Sequence, residues 1–448
     1  MNTITILSLH RGVKLSNLTG IEGINSIAIP LLENVTSADY VLVYSSVDRE
    51  STKAHNDMYN LIRMGSQTMI QVPAKIVEKT CMKGDLFVIP DNVKSAIENC
   101  LVNDSQDLII EEYHKLVGEY KTYRNLITAA KINYESDLRL DAYVTFYLPR
   151  NMIIPWIAIR DLSLHPNFQN LSDEVNVLDL GSGTGAIVLG LLHLFKSEAL
   201  SRVVINIAAL DCQTKALARQ KDLLMAAGFD LGHVHLLEAD LNNVDDCVRK
   251  ADKYSPFSFI FAGNCLTELG YQKSIDLISR LSLELVGDGA IIIAEAQRDY
   301  VKKMVAILAR GVEDFGLHVY YPCPGAARCT HSYCWVWRDH DYDFPGLQIC
   351  GKPLSEYPKD KLTLSWLVLT RQDISIYDSF KREKPGLFWG PIARQKYWDG
   401  EKRIDSLGFC DGEQITICDK DYRVSSRYRR GSIVGISKDH KIERYHEL

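Results

Sequence analysis

The sequence predicts an α/β protein organised around a parallel sheet, with smaller modules before and after it. Three observations predict this. The first is Val175 to Phe195, VNVLDLGSGTGAIVLGLLHLF, which reads as a buried strand, a glycine-rich turn and a helix in immediate succession. Val177 and Leu178 belong to an apolar run suited to a strand covered on both faces, while Ala186, Ile187, Leu189, Leu191, Leu192 and Leu194 make a helix apolar nearly all round. The second is the alternation of apolar strands and helical patterns that continues to Glu295. The third is the recurrence of an acid at the end of a strand, at Asp179, Asp211 and Asp240. At 448 residues and 46% hydrophobic, the chain can bury a large core and should hold two or three domains.

Taken in order, residues 1–104 read as an N-terminal α/β accessory module. Short apolar strands at Ile4 to Leu7, Ser26 to Ile29, Tyr40 to Tyr44, Thr68 to Val72 and Leu86 to Ile89 alternate with polar turns, and Met58 to Met64 has a helical pattern. Nothing there has the spacing of a catalytic site. Residues 105–170 turn helical, with Leu108, Ile109, Tyr113, Leu116 and Tyr120 near helical spacing, followed by the apolar DAYVTFYLPRNMIIPWIAIRDL. A helical segment just before such a glycine turn is placed to form a lid over the ligand. Tyr143, Tyr147 and Arg150 are candidates for it, with packing as the simpler role of the tyrosines.

Residues 171–320 form the predicted core. Glycines at 181, 183 and 185 let the backbone turn sharply and let a ligand approach the main chain without a Cβ in the way. A dinucleotide site would read G-x-G-x-x-G, and here the third glycine comes one residue early. The pattern Asp-Leu-Gly-Ser-Gly-Thr-Gly instead resembles the first motif of class I methyltransferases, which implies a Rossmann-like core and an S-adenosylmethionine site at Asp179, Gly181, Ser182, Gly183 and Gly185. The strand Val203 to Leu210 ends in Asp211, placed where a carboxylate would accept from both ribose hydroxyls of that cofactor; the competing role is a cap for the helix beginning TKALARQ. That helix ends at Gly228, in the position of a C-terminal cap. Val234 to Leu237 precedes Glu238-Ala239-Asp240, where the acid is suited to contact the adenine amino group. The strand Phe257 to Ala262 leads into Gly263-Asn264-Cys265-Leu266-Thr267-Glu268, at the sheet end where open α/β folds place their chemistry. Asn264 is a further candidate for the cofactor site. Asn264, Glu268 and Tyr143 are the weak catalytic candidates, Glu268 having helix initiation as its simpler role. GAIIIAE, Gly289 to Glu295, is the fifth strand.

Residues 321–448 combine a cysteine cluster with a β-rich tail. Cys323, Cys329 and Cys334 have the spacing C-x5-C-x4-C, more suited to a metal than to disulfides in a reducing compartment. The spacing leaves zinc, an iron–sulfur cluster and coincidence open. Cys350, Cys410, Cys418 and His331 are available as a fourth ligand, whereas Cys81, Cys100, Cys212, Cys247 and Cys265 lie on predicted core elements and read as ordinary buried thiols. Strands at Gln414 to Cys418 and Ser432 to Ile436 fit a small barrel-like tail. Between them RVSSRYRR concentrates Arg423, Arg427, Arg429 and Arg430 around Tyr428, with Lys396, Lys402 and Arg403 preceding. Guanidinium groups in such a stretch suit an RNA phosphate backbone and its bases; a solvated basic strand pair is the plainer alternative.

The combination of DAYVTFYLPR, VLDLGSGTG, GNCLTELG, PCPGAARC with CWVWRD, and KLTLSWLVLTR resembles the methyltransferase-like family that acts in assembly of the small subunit of mitochondrial ribosomes, together with its bacterial relatives. The likeness runs from about residue 137 to about residue 435. It implies a four-iron cluster held by Cys323, Cys329, Cys334 and Cys410, and ribosomal RNA or the small ribosomal subunit as partner. The chain departs from the family pattern at Cys323-Pro324-Gly325, where Cys-Pro-His is usual, at Cys334-Trp335-Val336, where Cys-His-Phe is usual, and in its strand-rich first hundred residues.

Charge and hydropathy bound the alternatives. A net charge of -6 argues against wholesale electrostatic binding of nucleic acid and leaves a local basic face open. No apolar run approaches the ~20 residues of a membrane span, and the N-terminus lacks the apolar core of a secretory signal, so the expected location is cytoplasmic. Two functions follow. In one, the chain binds S-adenosylmethionine and acts on or binds ribosomal RNA during small-subunit assembly. In the other, it is a specialised methyltransferase of a peptide, protein or small molecule.

Overall fold

The computed structural model describes residues 86–123, 136–165, 173–197, 202–296 and 361–383 continuously, together with the shorter pieces and strands named below. Seven strands form the centre: β1 (Glu174–Leu180), β2 (Val204–Asp211), β3 (Val234–Glu238), β4 (Phe257–Gly263), β5 (Leu285–Ala296), β6 (His318–Tyr321) and β7 (Lys361–Thr370). Their order is β3-β2-β1-β4-β5-β7, with β6 on the outer edge of β7. β1 to β5 are mutually parallel, and β7 runs antiparallel to both β5 and β6. The chain therefore reverses direction across the sheet between β1 and β4, which leaves a crevice at their carboxyl ends. This is a Rossmann-like α/β core with a mixed sheet. Beyond β7, Trp337–Asp343, Leu86–Val88 and Met82–Lys83 extend the same sheet to ten strands among the described residues.

The alternation expected of a doubly covered sheet is explicit in the packing. Val175 and Val177, Ile205, Ile207 and Ala209, Phe259 and Phe261, and Ala290, Ile292 and Ala294 face one apolar layer. Their neighbours Leu178 and Leu180, Ala208 and Leu210, Ile260 and Ala262, and Ile291 and Ile293 face the other. The first layer contains helices α1 (Asp91–Cys100), α2 (Gln106–Tyr123), α3 (Asp137–Phe146), α4 (Ile154–Leu162), α5 (Ala186–Phe195) and α6 (Thr214–Ala226). The second contains α7 (Val244–Ala251), the short α8 (Leu266–Leu269) and α9 (Tyr271–Leu281). Gly228, with φ 75°, ends α6 as the sequence predicts.

Of the first hundred residues the structure describes short strands and a helix. Strands occur at Thr3–Ser8, Tyr40–Ser45, Ile70–Gln71 and Leu86–Val88, but residues 91–100 are helix. Pro90 stands at its N-cap, and Val93, Ala96 and Ile97 share one buried face. That face joins the apolar layer of the sheet, and Asn92 Nδ2 donates to Ala227 O at 2.9 Å, so α1 lies against the end of α6. Ser26–Ile29 and Met58–Met64 lie outside the described residues. In the tail, Phe388–Pro391, Ile433–Ile436 and Ile442–His446 form one three-stranded sheet and Tyr397–Asp399, Lys402–Gly408 and Gln414–Ile417 another. Among the described residues no helix is long and apolar enough to cross a membrane.

The lid segment is pinned to α5 by a close crossing. Trp156 Nε1 donates to Gly190 O at 2.7 Å, and both residues are buried. A Cβ on residue 190 would lie 2.3 Å from Met152 O and 2.7 Å from Pro155 Cγ, and the first of these neighbours is backbone. Gly190→Ala should therefore destabilise the protein by about 1–3 kcal/mol in denaturant unfolding. A change within about 0.5 kcal/mol would mean that the crossing yields freely.

Candidate functional site

The site grows from the turn that follows β1. Gly181, Gly183 and Gly185 have φ values of 64°, 53° and 86°, a region that L side chains rarely adopt. Space is equally restrictive at two of them: a Cβ at 181 would lie 2.5 Å from Cys265 Cβ, and one at 185 would lie 2.5 Å from Gln220 Cγ of α6. Gly183 is the open one, with Gly181 O at 4.0 Å as its nearest neighbour. Ser182 N donates to Leu210 O at 2.9 Å, Ser182 Oγ to Gln220 Oε1 at 3.1 Å, and Gly183 N to Asp211 Oδ2 at 2.8 Å. The turn is clamped between β2, α6 and the loop after β4.

Three carboxylates stand at the strand ends. Asp179 is fully buried, and neither of its oxygens has a hydrogen-bond partner among the described residues. Burial pushes its carboxyl up to about 7; the Ser182 hydroxyl opposes the rise, and the negative charge of Asp211 adds to it. Asp211 accepts from Gly183 N and, through Oδ1, from Gln213 N at 2.8 Å. Burial raises its pKa while these backbone donors oppose the rise. The N-cap of α6 is Gln213, so Asp211 does not cap that helix directly.

The third is Glu295, near the end of β5, which was not among the expected site residues. It is buried, accepts from Leu266 N at 2.7 Å through Oε1 and from Thr267 Oγ1 at 3.1 Å through Oε2. Burial pushes its carboxyl up to about 7 against those donors. The signal that finds it is the same as for Asp179 and Asp211, an acid at the end of an apolar parallel strand. Asp240 is exposed, and its Oδ1 accepts from Asn242 N at 2.9 Å and Nδ2 at 3.0 Å in a turn leading to α7.

Asn264 is the one non-glycine residue with positive φ among the described residues, at 57°, and its N donates to Ala294 O at 2.8 Å. Glu268 lies exposed in α8, with its N donating to Cys265 O at 3.1 Å. The segment ahead of β1 meets the same strand ends. Tyr134 N donates to Gln213 Oε1 at 3.1 Å, and the hydroxyls of Tyr120 and Tyr134 share a hydrogen bond of 2.5 Å. Tyr143 meets Tyr134 edge-on and stacks on Tyr147, and the Arg150 guanidinium lies 4.4 Å from the Tyr147 ring centroid. Burial pushes the Tyr143 phenol up to about 12; Arg150 opposes this, and Glu268 and Asp211 reinforce it.

The lid is anchored below by Asp141 of α3. Its buried carboxylate meets Arg219 NH1 of α6 at 2.5 Å and also accepts from Val102 N, Asn103 N and Asn103 Nδ2. Thus Asp179, the glycine turn, Asp211, Asn264, Glu268 and Tyr143 belong to one end of the sheet and its lid. Cys212 differs from the expectation of a buried thiol: one residue beyond the end of β2, it is exposed, whereas Cys81, Cys247 and Cys265 are buried and Cys100 is half-buried. Cys323, Cys329, Cys334 and Cys410 lie outside the described residues, as do Arg423, Arg427, Arg429 and Arg430. Among the described residues no group of three or more His, Cys, Asp or Glu is arranged to hold a metal ion.

No protein-family model matches the chain. No curated protein matches its sequence either. Among solved structures it is distantly similar to S-adenosylmethionine-dependent methyltransferases. One from Leishmania major is 15% identical with a TM-score of 0.31, over 56% of this chain and 82% of that one. Magnesium protoporphyrin IX methyltransferase from Synechocystis PCC 6803 is 12% identical with a TM-score of 0.29, over 60% of this chain and 100% of that one. A Pyrococcus horikoshii protein proposed to be an RNA methyltransferase is 12% identical with a TM-score of 0.31, over 56% and 97%. Likenesses this distant decide no substrate, and the fold assignment rests on the strand order and packing above.

The buried Asp179 has a thermodynamic signature. Its folded pKa lies above that of an unfolded aspartate, so the folded chain holds the extra proton between about pH 4 and about pH 7 and loses stability as pH rises through that window. Asp179→Asn removes the titration. The variant should gain on the wild type progressively from pH 5 to pH 8, by up to a few kcal/mol, in urea unfolding of the ligand-free protein. A stability difference that stays constant with pH would show that Asp179 ionises normally in the fold.

Proposed function

We propose that the chain is an S-adenosylmethionine-binding, methyltransferase-like protein whose cofactor lies over the glycine turn, held by Asp179, Gly181, Ser182, Gly183, Gly185, Asp211, Asp240 and Asn264. The observation that carries this reading is Asp179: a buried carboxylate near the end of β1, two residues before the glycine turn, with neither oxygen hydrogen-bonded among the described residues. Such a group is costly in an empty fold and is suited to a cationic ligand approaching the main chain. When bound, the cofactor supplies an electrophilic methyl group on a sulfonium. The chain's own residues orient and enclose. Asp211 is already oriented by Gly183 N and Gln213 N, and its carboxylate suits ribose hydroxyls. Tyr143 keeps its proton at neutral pH and therefore serves as a hydrogen-bond donor rather than a base. Asn264 and Glu268 sit on the loop after β4, where an acceptor would be positioned, and positioning is the larger part of a methyl transfer.

An iron–sulfur cluster on Cys323, Cys329, Cys334 and Cys410, with zinc as the alternative, rests on the motif resemblance. So does action on, or binding of, ribosomal RNA in small-subunit assembly, with Arg423, Arg427, Arg429 and Arg430 as its contacts. A second reading, a specialised methyltransferase of a peptide, protein or small molecule, draws support from the acidity of the mouth. Asp211, Asp240 and Glu268 gather there, with the buried Asp179 and Glu295 behind them, and favour a neutral or cationic acceptor over a polyanionic one.

Isothermal titration with S-adenosylhomocysteine tests the cofactor reading. The wild type should bind, and Asp211→Ala should bind about 10- to 100-fold more weakly while retaining cooperative unfolding. A wild type that takes up no ligand at millimolar concentration overturns it. For the metal site, anaerobically purified protein should contain iron and absorb broadly near ~400 nm, and the quadruple Cys323, Cys329, Cys334, Cys410 change to Ser should lose both. Stoichiometric zinc instead would replace the cluster; absence of any metal would remove the site.

A further inference from the structure

The loop that follows β4 is unusual in two respects that the cofactor reading does not use. Asn264 holds a left-handed backbone, which costs an asparagine less than most residues yet still requires support from its surroundings. Immediately after it, the chain enters α8, whose first residues are bonded by a side chain from a different strand: Glu295 accepts from Leu266 N and from Thr267 Oγ1. β5 thus grips the loop twice, since Ala294 O accepts from Asn264 N in addition. The grip lies against the glycine turn, because Cys265 Cβ occupies the space that a side chain at 181 would need. A shift of this loop moves both Asn264 and the wall of the turn.

We propose that Glu295 is a positioning residue: its buried carboxylate fixes the loop after β4 so that Asn264 is presented to the ligand over the glycine turn, and it sets ligand affinity without touching the ligand. The inference rests on the S-adenosylmethionine reading of the site and adds to it a residue that acts through Asn264. The geometry favours this over a plain structural strut. Both oxygens of Glu295 bond the first two residues of α8, directly after the loop that follows β4, whereas its sheet partner on β7 is Ser365. The Cys265 thiol in the same loop feels the negative charges of Glu295, Asp179, Glu268 and Asp211.

A double-mutant cycle on S-adenosylhomocysteine affinity separates the two roles, using full-length Glu295→Ala, Glu295→Gln, Asn264→Gly and the Glu295→Ala, Asn264→Gly double variant. Asn264→Gly keeps the left-handed backbone accessible and removes only the side chain. If Glu295 acts through Asn264, Glu295→Ala weakens binding about 10-fold, Glu295→Gln retains an acceptor for Leu266 N and recovers most of that loss, and the double variant binds no more weakly than Asn264→Gly alone. Losses that multiply in the double variant overturn the proposal, as does wild-type affinity in Glu295→Ala. Should Glu295→Ala fail to fold, Thr267→Val, which removes one of the two grips, is expected to weaken binding about 2- to 3-fold with the same lack of additivity against Asn264→Gly, and additive losses there overturn the proposal equally. A wild type that binds no ligand overturns the cofactor reading and this inference with it, whereas a binding wild type with additive losses overturns this inference alone.

Discussion

The squeeze on the turn after β1 is the constraint on which the rest of the structure depends. The chain leaves the central strand, reverses in five residues and enters α5, and it does so with Cys265 on one side and Gln220 on the other at distances that admit no Cβ at 181 or 185. That closeness is possible because β4 lies directly beside β1 in the sheet and α6 follows β2 on the face that carries α5. The turn is therefore a product of three crossovers as much as of its own glycines. Its hydrogen bonds to Leu210 O, Asp211 and Gln220 come entirely from the β2–α6 unit, so the unit that follows the turn also shapes it.

Around this turn the protein concentrates carboxylates rather than dispersing them. Asp179 and Glu295 are both buried and both pushed up to about 7, but for different structural ends. Glu295 spends its two oxygens on the loop after β4. Neither oxygen of Asp179 has a hydrogen-bond partner among the described residues, and Thr184 Oγ1 of the same turn and Gln220 Nε2 of α6 are likewise without one. Asp211 is intermediate: two backbone amides hold it in place while part of it remains accessible.

The helical segment ahead of β1 is fastened by the same helix that clamps the turn. Consecutive residues of α6 divide the work, Arg219 pairing with Asp141 of α3 and Gln220 accepting from Ser182. A buried pair of this kind contributes little net stability, but loss of either partner leaves an uncompensated charge, so it is better understood as a register pin between lid and core. The tyrosines continue the connection upward. Tyr134 reaches Gln213 at the start of α6, and Tyr143 stands within the electrostatic influence of Asp211, Glu268 and Arg150.

The glycine turn, the parallel strands and the carboxyl-end acids Asp179 and Asp211 were legible in the sequence because each depends on local chemistry: apolar runs of strand length, residues tolerant of positive φ, and an acid where a strand stops. Residues 91–100 were not legible as helix, since their three buried apolar positions acquire meaning only against α6 and the sheet. Cys212 looked like a core thiol because the strand ahead of it is apolar, and only the place where β2 leaves the sheet exposes it. Glu295 carried the same signal as Asp179, but nothing local could say that its oxygens would reach Leu266 and Thr267, 29 and 28 residues away in the chain. Sequence by itself determined the order of elements and the chemical character of the site, because both follow from short-range propensity and periodicity. Tertiary structure alone decided which acids are partnered and which are left open, because a carboxylate's burial and its donors are set by the strands and loops that the fold brings beside it.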